Sequence, residues 1–179
     1  MFRGQARNVV LIGVVIAAAA MVTSAAGTTG TLTVNGKKTA VTTSVAFSYP
    51  STMGPGKNIS VLISDKAPRD TVFRELMKFG PGEKLVPGLF EGAWKNMHVE
   101  KAFEGLSITF GPDKQLLTNE ILVGGRDKVF SLSSYDLTVD LKEFGERISG
   151  TIRTSSPVEA PGLTCAIDVT FDAAVADFK

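Results

Sequence analysis

Apolar and polar residues alternate along most of this chain, a pattern typical of β-strands that bury one face. The clearest example runs from Leu163 to Phe171 and places Cys165 on the apolar side. Other stretches of this kind are 30–38, 39–49, 99–110, 117–123, 128–132, 135–142 and 147–154. Many short strands separated by turn residues predict a mainly β fold, an antiparallel β-sandwich of about seven to ten strands, with a barrel as the alternative.

The dipeptide Asn35-Gly36 stands between the first two of these stretches and is the strongest short signal for a β-hairpin. The strand before it carries Leu32 and Val34 on one face. The strand after it is predicted to run from Thr39 to Tyr49. The alternating part of the chain therefore opens with a hairpin.

The run from Ile59 to Ile63 departs from strict alternation, because Leu62 stands where a polar residue would keep the pattern. The run is short, rich in β-branched residues and bounded by turn formers. It predicts a central strand that is buried on both faces around Leu62.

One short amphipathic helix is predicted, from Arg69 to Phe79. Pro68 suits the first helical position, and Gly80-Pro81 ends the pattern. The helix is expected to cover an edge or an end of the sheet with one apolar stripe, which consists of Val72, Phe73, Leu76, Met77 and Phe79.

The segment from Pro81 to His98 is the least regular part of the chain, since proline and glycine interrupt its large apolar residues. It contains Phe90, the single tryptophan, Trp94, and the single histidine, His98. Loops on a rigid scaffold often carry function, so these three residues are the candidate ligand or partner contacts. The competing interpretation is a loop pinned to the core by Phe90 and Trp94, because tryptophan is highly buried on average.

Residues 1–26 have the three parts of a signal peptide: Arg3 and Arg7, an apolar run from Val9 to Val22, and small residues at Ser24 and Ala26. The alternative is a retained membrane anchor, but the apolar run is short for a span, which needs about 20 residues. Cleavage after Ala26 predicts a periplasmic or secreted protein in which residues 27–179 form a single domain.

Loss of residues 1–26 removes two of the 19 basic residues and none of the 18 acidic ones. The near-neutral balance that is left provides no basic surface for nucleic acid or for an anionic membrane. One cysteine, Cys165, cannot form an internal disulfide, so stability must come from the core. On the apolar face of its strand, Cys165 is expected to behave as a small hydrophobic residue.

Four short stretches carry a resemblance to a known group. In order they are Leu32-Thr-Val-Asn-Gly-Lys37, Val61-Leu-Ile-Ser-Asp-Lys66 with Pro68, Arg147-Ile-Ser-Gly-Thr-Ile152 and Asp168-Val-Thr-Phe-Asp-Ala173. Together they resemble uncharacterised exported bacterial β-domain proteins. The resemblance implies a bacterial envelope or secreted β-domain and carries over no catalytic residue.

No catalytic or metal-binding motif is found in the sequence, and no cofactor is expected. The function class indicated is a non-catalytic exported domain that binds a protein partner, a surface polymer or a small ligand, with no stable membrane insertion after signal removal. The alternative is a glycan hydrolase that uses two carboxylates in a groove. Alternation places Asp136 with Asp140, and Asp168 with Asp172, on the solvent side of their strands.

Overall fold

The computed structural model describes residues 27–67, 103–123, 129–160 and 162–177, and the structural statements that follow concern these residues. They form a mainly β structure of eleven strands. In chain order these are β1 Thr29–Val34, β2 Lys37–Ala40, β3 Thr43–Pro50, β4 Lys57–Ser64, β5 Gly105–Phe110, β6 Leu116–Leu122, β7 Val129–Phe130, β8 Leu137–Phe144, β9 Arg147–Thr154, β10 Val158–Ala160 and β11 Leu163–Asp177.

All eleven strands belong to one sheet, which is not closed into a barrel. Hydrogen-bonded neighbours follow the order β2, β1, β11, β3, β4, β5, β6, β7. In addition, β9 pairs with both β11 and β8, and β10 pairs with β11. We call β3 to β7 the buried half of the sheet, and β1, β2 and β8 to β11 the amphipathic half.

Strand β11 joins the two halves. Its early and middle residues pair antiparallel with β10, β1 and β9, while Val175 to Asp177 pair with Ala46 to Ser48 of β3 in parallel. The expectation of a purely antiparallel structure is therefore wrong at this one pairing. The parallel contact arises because β11 continues to Asp177, beyond the end at Phe171 that alternation indicated.

The predicted hairpin at Asn35-Gly36 is confirmed. Both residues have positive φ, 49° and 78°, the combination that a tight turn between two antiparallel strands requires. The uninterrupted strand from Thr39 to Tyr49 is wrong, because the chain exchanges its partner there. The Val41 N–H donates to Gly30 O in the amphipathic half, and the Thr42 N–H donates to Ser64 O in the buried half.

Strand β4 is the central strand that the sequence predicted. Every residue from Asn58 to Ser64 is buried, and β4 pairs with β3 on one side and with β5 on the other. Its Ile59, Val61 and Ile63 face the main apolar cluster. Leu62, 1% exposed, lies on the opposite face of β4 and is not part of that cluster.

The main apolar cluster takes residues from both halves of the sheet. The alternation predicted between Leu163 and Phe171 is confirmed, because the odd-numbered residues are buried in this cluster. Ile148 and Ile152 of β9 join them from the neighbouring strand, and Ile108 and Phe110 of β5 from the buried half. This cluster therefore draws on both halves of the described sheet.

Close approach of backbones explains the glycine at position 30. Gly30 has a φ of +135°, and a Cβ there would lie 2.6 Å from the Cα of Val169 and closer still to Asp168 O. Only a residue without Cβ allows β1 and β11 to approach so closely.

Several details of the connections differ from expectation. The connection between β9 and β11 contains a further short strand, β10, and the predicted strand 135–142 begins within a 3₁₀ turn, Ser134–Asp136. The helix predicted from Arg69 to Phe79 lies outside the described residues. Within the described ranges, no helix has the length and apolar character needed to cross a membrane.

Candidate functional site

The residues predicted to bind a partner, Phe90, Trp94 and His98, lie in the segment 68–102, outside the described residues. The structure describes the two places where this segment begins and ends. Since β4 and β5 pair antiparallel, with Ser64 opposite Gly105, the chain leaves the sheet and returns to it at adjacent positions. The base of the candidate loop is therefore known even though the loop is not described.

Asp65 and Glu104 hold the two ends of this segment together, and we call this pair the clasp. The Asp65 N–H donates to Glu104 O at 3.1 Å, and the Glu104 N–H donates to Asp65 Oδ1 at 3.0 Å. These bonds extend the β4–β5 pairing by one step beyond the last paired residues. Two main-chain donors thus fix the spacing of the segment ends.

The carboxylate of Glu104 ties the clasp to the first hairpin. Glu104 is only 6% exposed, and its side chain accepts hydrogen bonds from Lys37 Nζ at 2.5 Å and from Thr39 Oγ1. Both donors lie on β2. A buried carboxylate needs hydrogen-bond partners to offset its lost hydration, and here the partners are the ammonium group of Lys37 and the hydroxyl of Thr39.

The contact with Glu104 also changes the pKa of Lys37. Its hydrogen bond to Glu104, and then the negative charge of Glu104, raise the pKa of the Lys37 ammonium, with a further contribution from Asp65. The side chain of Lys37 is otherwise exposed. The contact therefore favours the ionised form of Lys37.

Sequence reasoning missed Glu104, Lys37 and Thr39. The one available signal is that Glu104 is a charged residue directly before a strand whose residues are all buried. Such a residue is either at the surface or paired, and the sequence does not show which. The partners lie on a hairpin more than sixty positions away in the chain, so no local pattern connects them.

The carboxylates predicted to face solvent on β11 are engaged with arginines of β9. Arg153 Nε lies 3.0 Å from Asp168 Oδ1, and Arg147 Nη2 contacts Asp172 Oδ1. Asp168 is exposed and Asp172 is partly buried, in agreement with the predicted strand face. The other predicted pair is wrong, because Asp136 lies in the 3₁₀ turn before β8 and not on the strand with Asp140.

A groove of about 320 Å³ lies between β6 and the segment Ser131–Ser134. The β6–β7 pairing has two residue pairs, the last being Ile121 with Phe130. Beyond it the side chain of Asn119 continues the connection: Asn119 Nδ2 donates to Leu132 O at 2.9 Å, and the Leu132 N–H donates to Asn119 Oδ1 at 2.8 Å. A buried side-chain amide thus acts like a strand backbone and holds one wall of the groove.

Tyr135 follows Ser134, a residue that lines the groove, and is 98% exposed. It lies in the 3₁₀ turn, whose N-cap Ser133 accepts a hydrogen bond from the Tyr135 N–H at 3.3 Å. The Asp136 N–H also donates to Ser133 O. The backbone under this exposed ring is therefore fixed by capping.

Cys165 lies where the sequence placed it, on the buried face of β11, and burial raises the pKa of its thiol to about 11. Such a thiol is protonated and unreactive at neutral pH. Among the described residues there is no group of three or more histidine, cysteine, aspartate or glutamate side chains that could hold a metal ion.

Neither a protein-family model, nor a curated protein, nor a solved structure matched this chain.

Proposed function

We propose that this chain is a non-catalytic exported domain, periplasmic or secreted, that binds a protein partner, a surface polymer or a small ligand. The observation that carries the proposal is the clasp. Asp65 and Glu104 anchor a long chain segment on two adjacent buried strands, and the carboxylate of Glu104 attaches this base to β2. A segment carried on a rigid base is a common arrangement for recognition.

The segment 68–102 supplies the proposed contact residues Phe90, Trp94 and His98, with Trp94 as the anchor. Tryptophan is enriched among the residues that dominate binding energy at interfaces. The rival role for Trp94 is in the core, where truncation to alanine costs about 3–5 kcal/mol. Binding and stability therefore separate the two roles.

The test is capture of partners from envelope extract by the exported chain, identified by mass spectrometry, with Trp94→Ala as the variant. The proposal expects Trp94→Ala to lose capture while the free energy of unfolding changes by less than about 1 kcal/mol. Met53→Ala is the matched control, because Met53 is 82% exposed in another loop. A large stability loss in Trp94→Ala, or unchanged capture, would count against this loop.

The alternative of a carboxylate-based glycan hydrolase has less support. Such an enzyme needs two carboxylates roughly 5–9.5 Å apart in a groove. Among the described residues that line the groove beside β6, one carries a carboxylate, Glu120. The carboxylate of Glu104 is bonded to Lys37 and Thr39. Release of shorter sugars from a glycan by the purified chain would favour the hydrolase over the binding domain.

The finer architecture is part of the same proposal. We propose that the amphipathic and buried halves pack face to face as a sandwich, because one apolar cluster draws on both. Val45, Phe47 and Leu62 lie on the other face of the buried half and are also buried. The helix predicted from Arg69 to Phe79 is proposed to cover an edge or an end of the sheet with its apolar stripe. Protection of its amides from hydrogen exchange, lost when the stripe carries a charge, would test the contact.

Export rests on residues 1–26, which lie outside the described residues. The proposal places the start of the exported protein at Gly27. N-terminal sequencing of the exported form checks this, and retention of Val9 to Val22 would contradict it.

A further inference from the structure

Gly27, where the exported chain is proposed to begin, lies opposite Asp172 of β11. In the pairing of β1 with β11, Thr29 is opposite Thr170. The same register, continued by two positions, places Gly27 opposite Asp172. A Cβ on Gly27 would lie 3.4 Å from Asp172 Cβ and 3.5 Å from Asp172 Oδ2. The proposed first residue of the exported chain is therefore close to a carboxylate.

The residue that follows Gly27 is bonded to the same part of β11. Thr28 is 5% exposed, and its hydroxyl shares a hydrogen bond of 2.5 Å with the hydroxyl of Ser44. Ser44 Oγ in turn donates to Asp172 O at 3.1 Å. The backbone next to Gly27 is thus fixed close to Asp172. An amine at Gly27 therefore needs little ordering to reach the carboxylate, whereas two mobile side chains lose conformational freedom when they pair.

The carboxylate of Asp172 has one oxygen on each of two sides. Oδ1 contacts Arg147 Nη2, and Oδ2 is the oxygen nearer to Gly27. Arg147 Nε also lies 3.7 Å from Glu143 Oε2. Glu143, Arg147 and Asp172 together carry two negative charges and one positive charge. One further cation beside Oδ2 would balance this group of charges.

Signal removal creates such a cation. Hydrolysis of the peptide bond between Ala26 and Gly27 breaks the C–N bond with one water molecule, leaving a carboxylate on Ala26 and an amine on Gly27. An α-amino group has an ordinary pKa of about 7.7–8.0, so most of it is protonated at pH 7. This nitrogen, now free of Ala26, rotates about the Cα–C bond of Gly27. About a third of a turn brings it to the position of a Cβ, 3.5 Å from Asp172 Oδ2.

We infer that Asp172 binds the α-ammonium group that signal removal creates at Gly27. The inference rests on the part of the proposed function that starts the exported chain at Gly27. In the precursor the same nitrogen is an uncharged amide, so the ion pair exists only after cleavage. The pair holds the new chain end on β11 beside Arg147. Cleavage therefore stabilises the pairing of β1 with β11.

The test is a pH titration of the full exported chain, in which the resonances of its first residue report the protonation of the α-amino group. The charged groups that face this amine are Asp172 of β11 and Arg147 of β9, with Glu143 of β8 on the far side of Arg147. The variant is Asp172→Asn. It is expected to lower the proton affinity of the amine by about two- to fivefold, because a nearby carboxylate favours the ammonium form.

Two controls separate a local ion pair from a general change of charge. Asp168→Asn removes the same charge from the same face of β11, but Asp168 lies opposite Thr31, about 13 Å further along the strand. It is expected to change the proton affinity by less than about 1.3-fold at physiological salt. The second control is a chain that keeps Ala25 and Ala26, whose amine is displaced from the carboxylate. There Asp172→Asn is expected to have no effect.

Equal effects of Asp172→Asn and Asp168→Asn would overturn the inference, as would an equal effect of Asp172→Asn in the extended chain. N-terminal sequencing that finds a first residue other than Gly27 would overturn it at the cleavage step. These failures are distinct from failure of partner binding, because capture is measured separately with Trp94→Ala. A chain that captures its partner but whose amine is insensitive to Asp172→Asn lacks the ion pair and keeps the binding function.

Discussion

The two halves of the sheet are built on different polar chemistry. In the amphipathic half, one face of β8, β9 and β11 meets solvent, and charged pairs such as Arg153 with Asp168 cross between strands there. In the buried half, both faces of β4 and β5 are covered. Apart from Lys57 at the exposed start of β4, the polar side chains of these two strands are small. Ser60 and Thr109 pair with each other between the two strands at 2.7 Å.

This difference shows how burial selects polar residues. A charge on a half-buried sheet keeps its hydration and gains little from a partner. A hydroxyl on a fully buried strand must find a partner inside, because leaving it without one costs about 1–3 kcal/mol. A polar contact between two strands is therefore expected to contribute more to the free energy of unfolding in the buried half than in the amphipathic half.

The largest expected difference is between two leucines. Leu62→Ala in the buried half is expected to lower the free energy of unfolding by about 2–5 kcal/mol, because it opens a cavity at a residue that is 1% exposed. Leu141→Ala removes the same atoms from β8, where the residue is only partly buried, and about 1 kcal/mol is expected. Urea denaturation measures both. Equal losses would show that the halves are packed alike.

The next effect is the pH dependence of stability that Cys165 causes on the buried face of the amphipathic half. Burial raises the pKa of Cys165 from 9.0 to about 11, so the unfolded chain loses the thiol proton first as pH rises. The contribution of the thiol to stability is fully present below about pH 9 and falls as the pH rises towards 11, and a shift of two pKa units sets its upper limit at about 3 kcal/mol. Cys165→Ala removes it.

The measurement is the free energy of unfolding at pH 8 and at pH 11 for both chains. Lys37 also titrates in this window, since its contact with Glu104 raises its pKa, but both chains keep Lys37. The natural chain is expected to lose more stability than Cys165→Ala. Identical losses would place the thiol in contact with water.

A smaller effect is expected from the hydroxyl pair of the buried half. Ser60→Ala leaves the Thr109 hydroxyl without this contact, and a loss of about 1 kcal/mol is expected. A double-mutant cycle with Thr109→Val isolates the pair, and the double variant is expected to lose less than the two single changes together. Additive losses would show that the two hydroxyls do not stabilise each other.

The smallest effect is expected from the charged pair of the amphipathic half. Arg153 and Asp168 are both exposed, so a cycle of Arg153→Ala and Asp168→Ala is expected to give a coupling of about 0.2–1 kcal/mol at low salt. Added salt should reduce it further. A coupling above that of Ser60 with Thr109 would reverse the comparison between the halves.

Much of the fold could be predicted from local sequence pattern. Alternation located the buried face of β11, and the apolar run at Ile59 to Ile63 located the central strand β4, because both depend on side-chain periodicity. The Asn35-Gly36 turn was found because its residues tolerate positive φ. These features are determined within a few neighbouring residues.

What the sequence did not predict depends on distant partners. The break at Val41 and Thr42 exists because two different strands, β1 and β4, supply the acceptors for adjacent amides. The parallel pairing of β11 with β3, and the contact of Glu104 with Lys37, are long-range choices of the same kind. The groove was missed because Asn119 gains its role only when Leu132 lies opposite.

The shared strand β11 also has a consequence for the order of folding. It is the last strand described, yet it supplies a neighbour to β1, β3, β9 and β10. A nascent chain that has been synthesised only as far as β10 holds three sets of paired strands, β1 with β2, β3 to β7, and β8 with β9, and no described pairing joins these sets. Pairings between the two ends of a chain form slowly. Pairing with β11 therefore comes late, and until then the edges of β1, β3 and β9 that β11 covers are open.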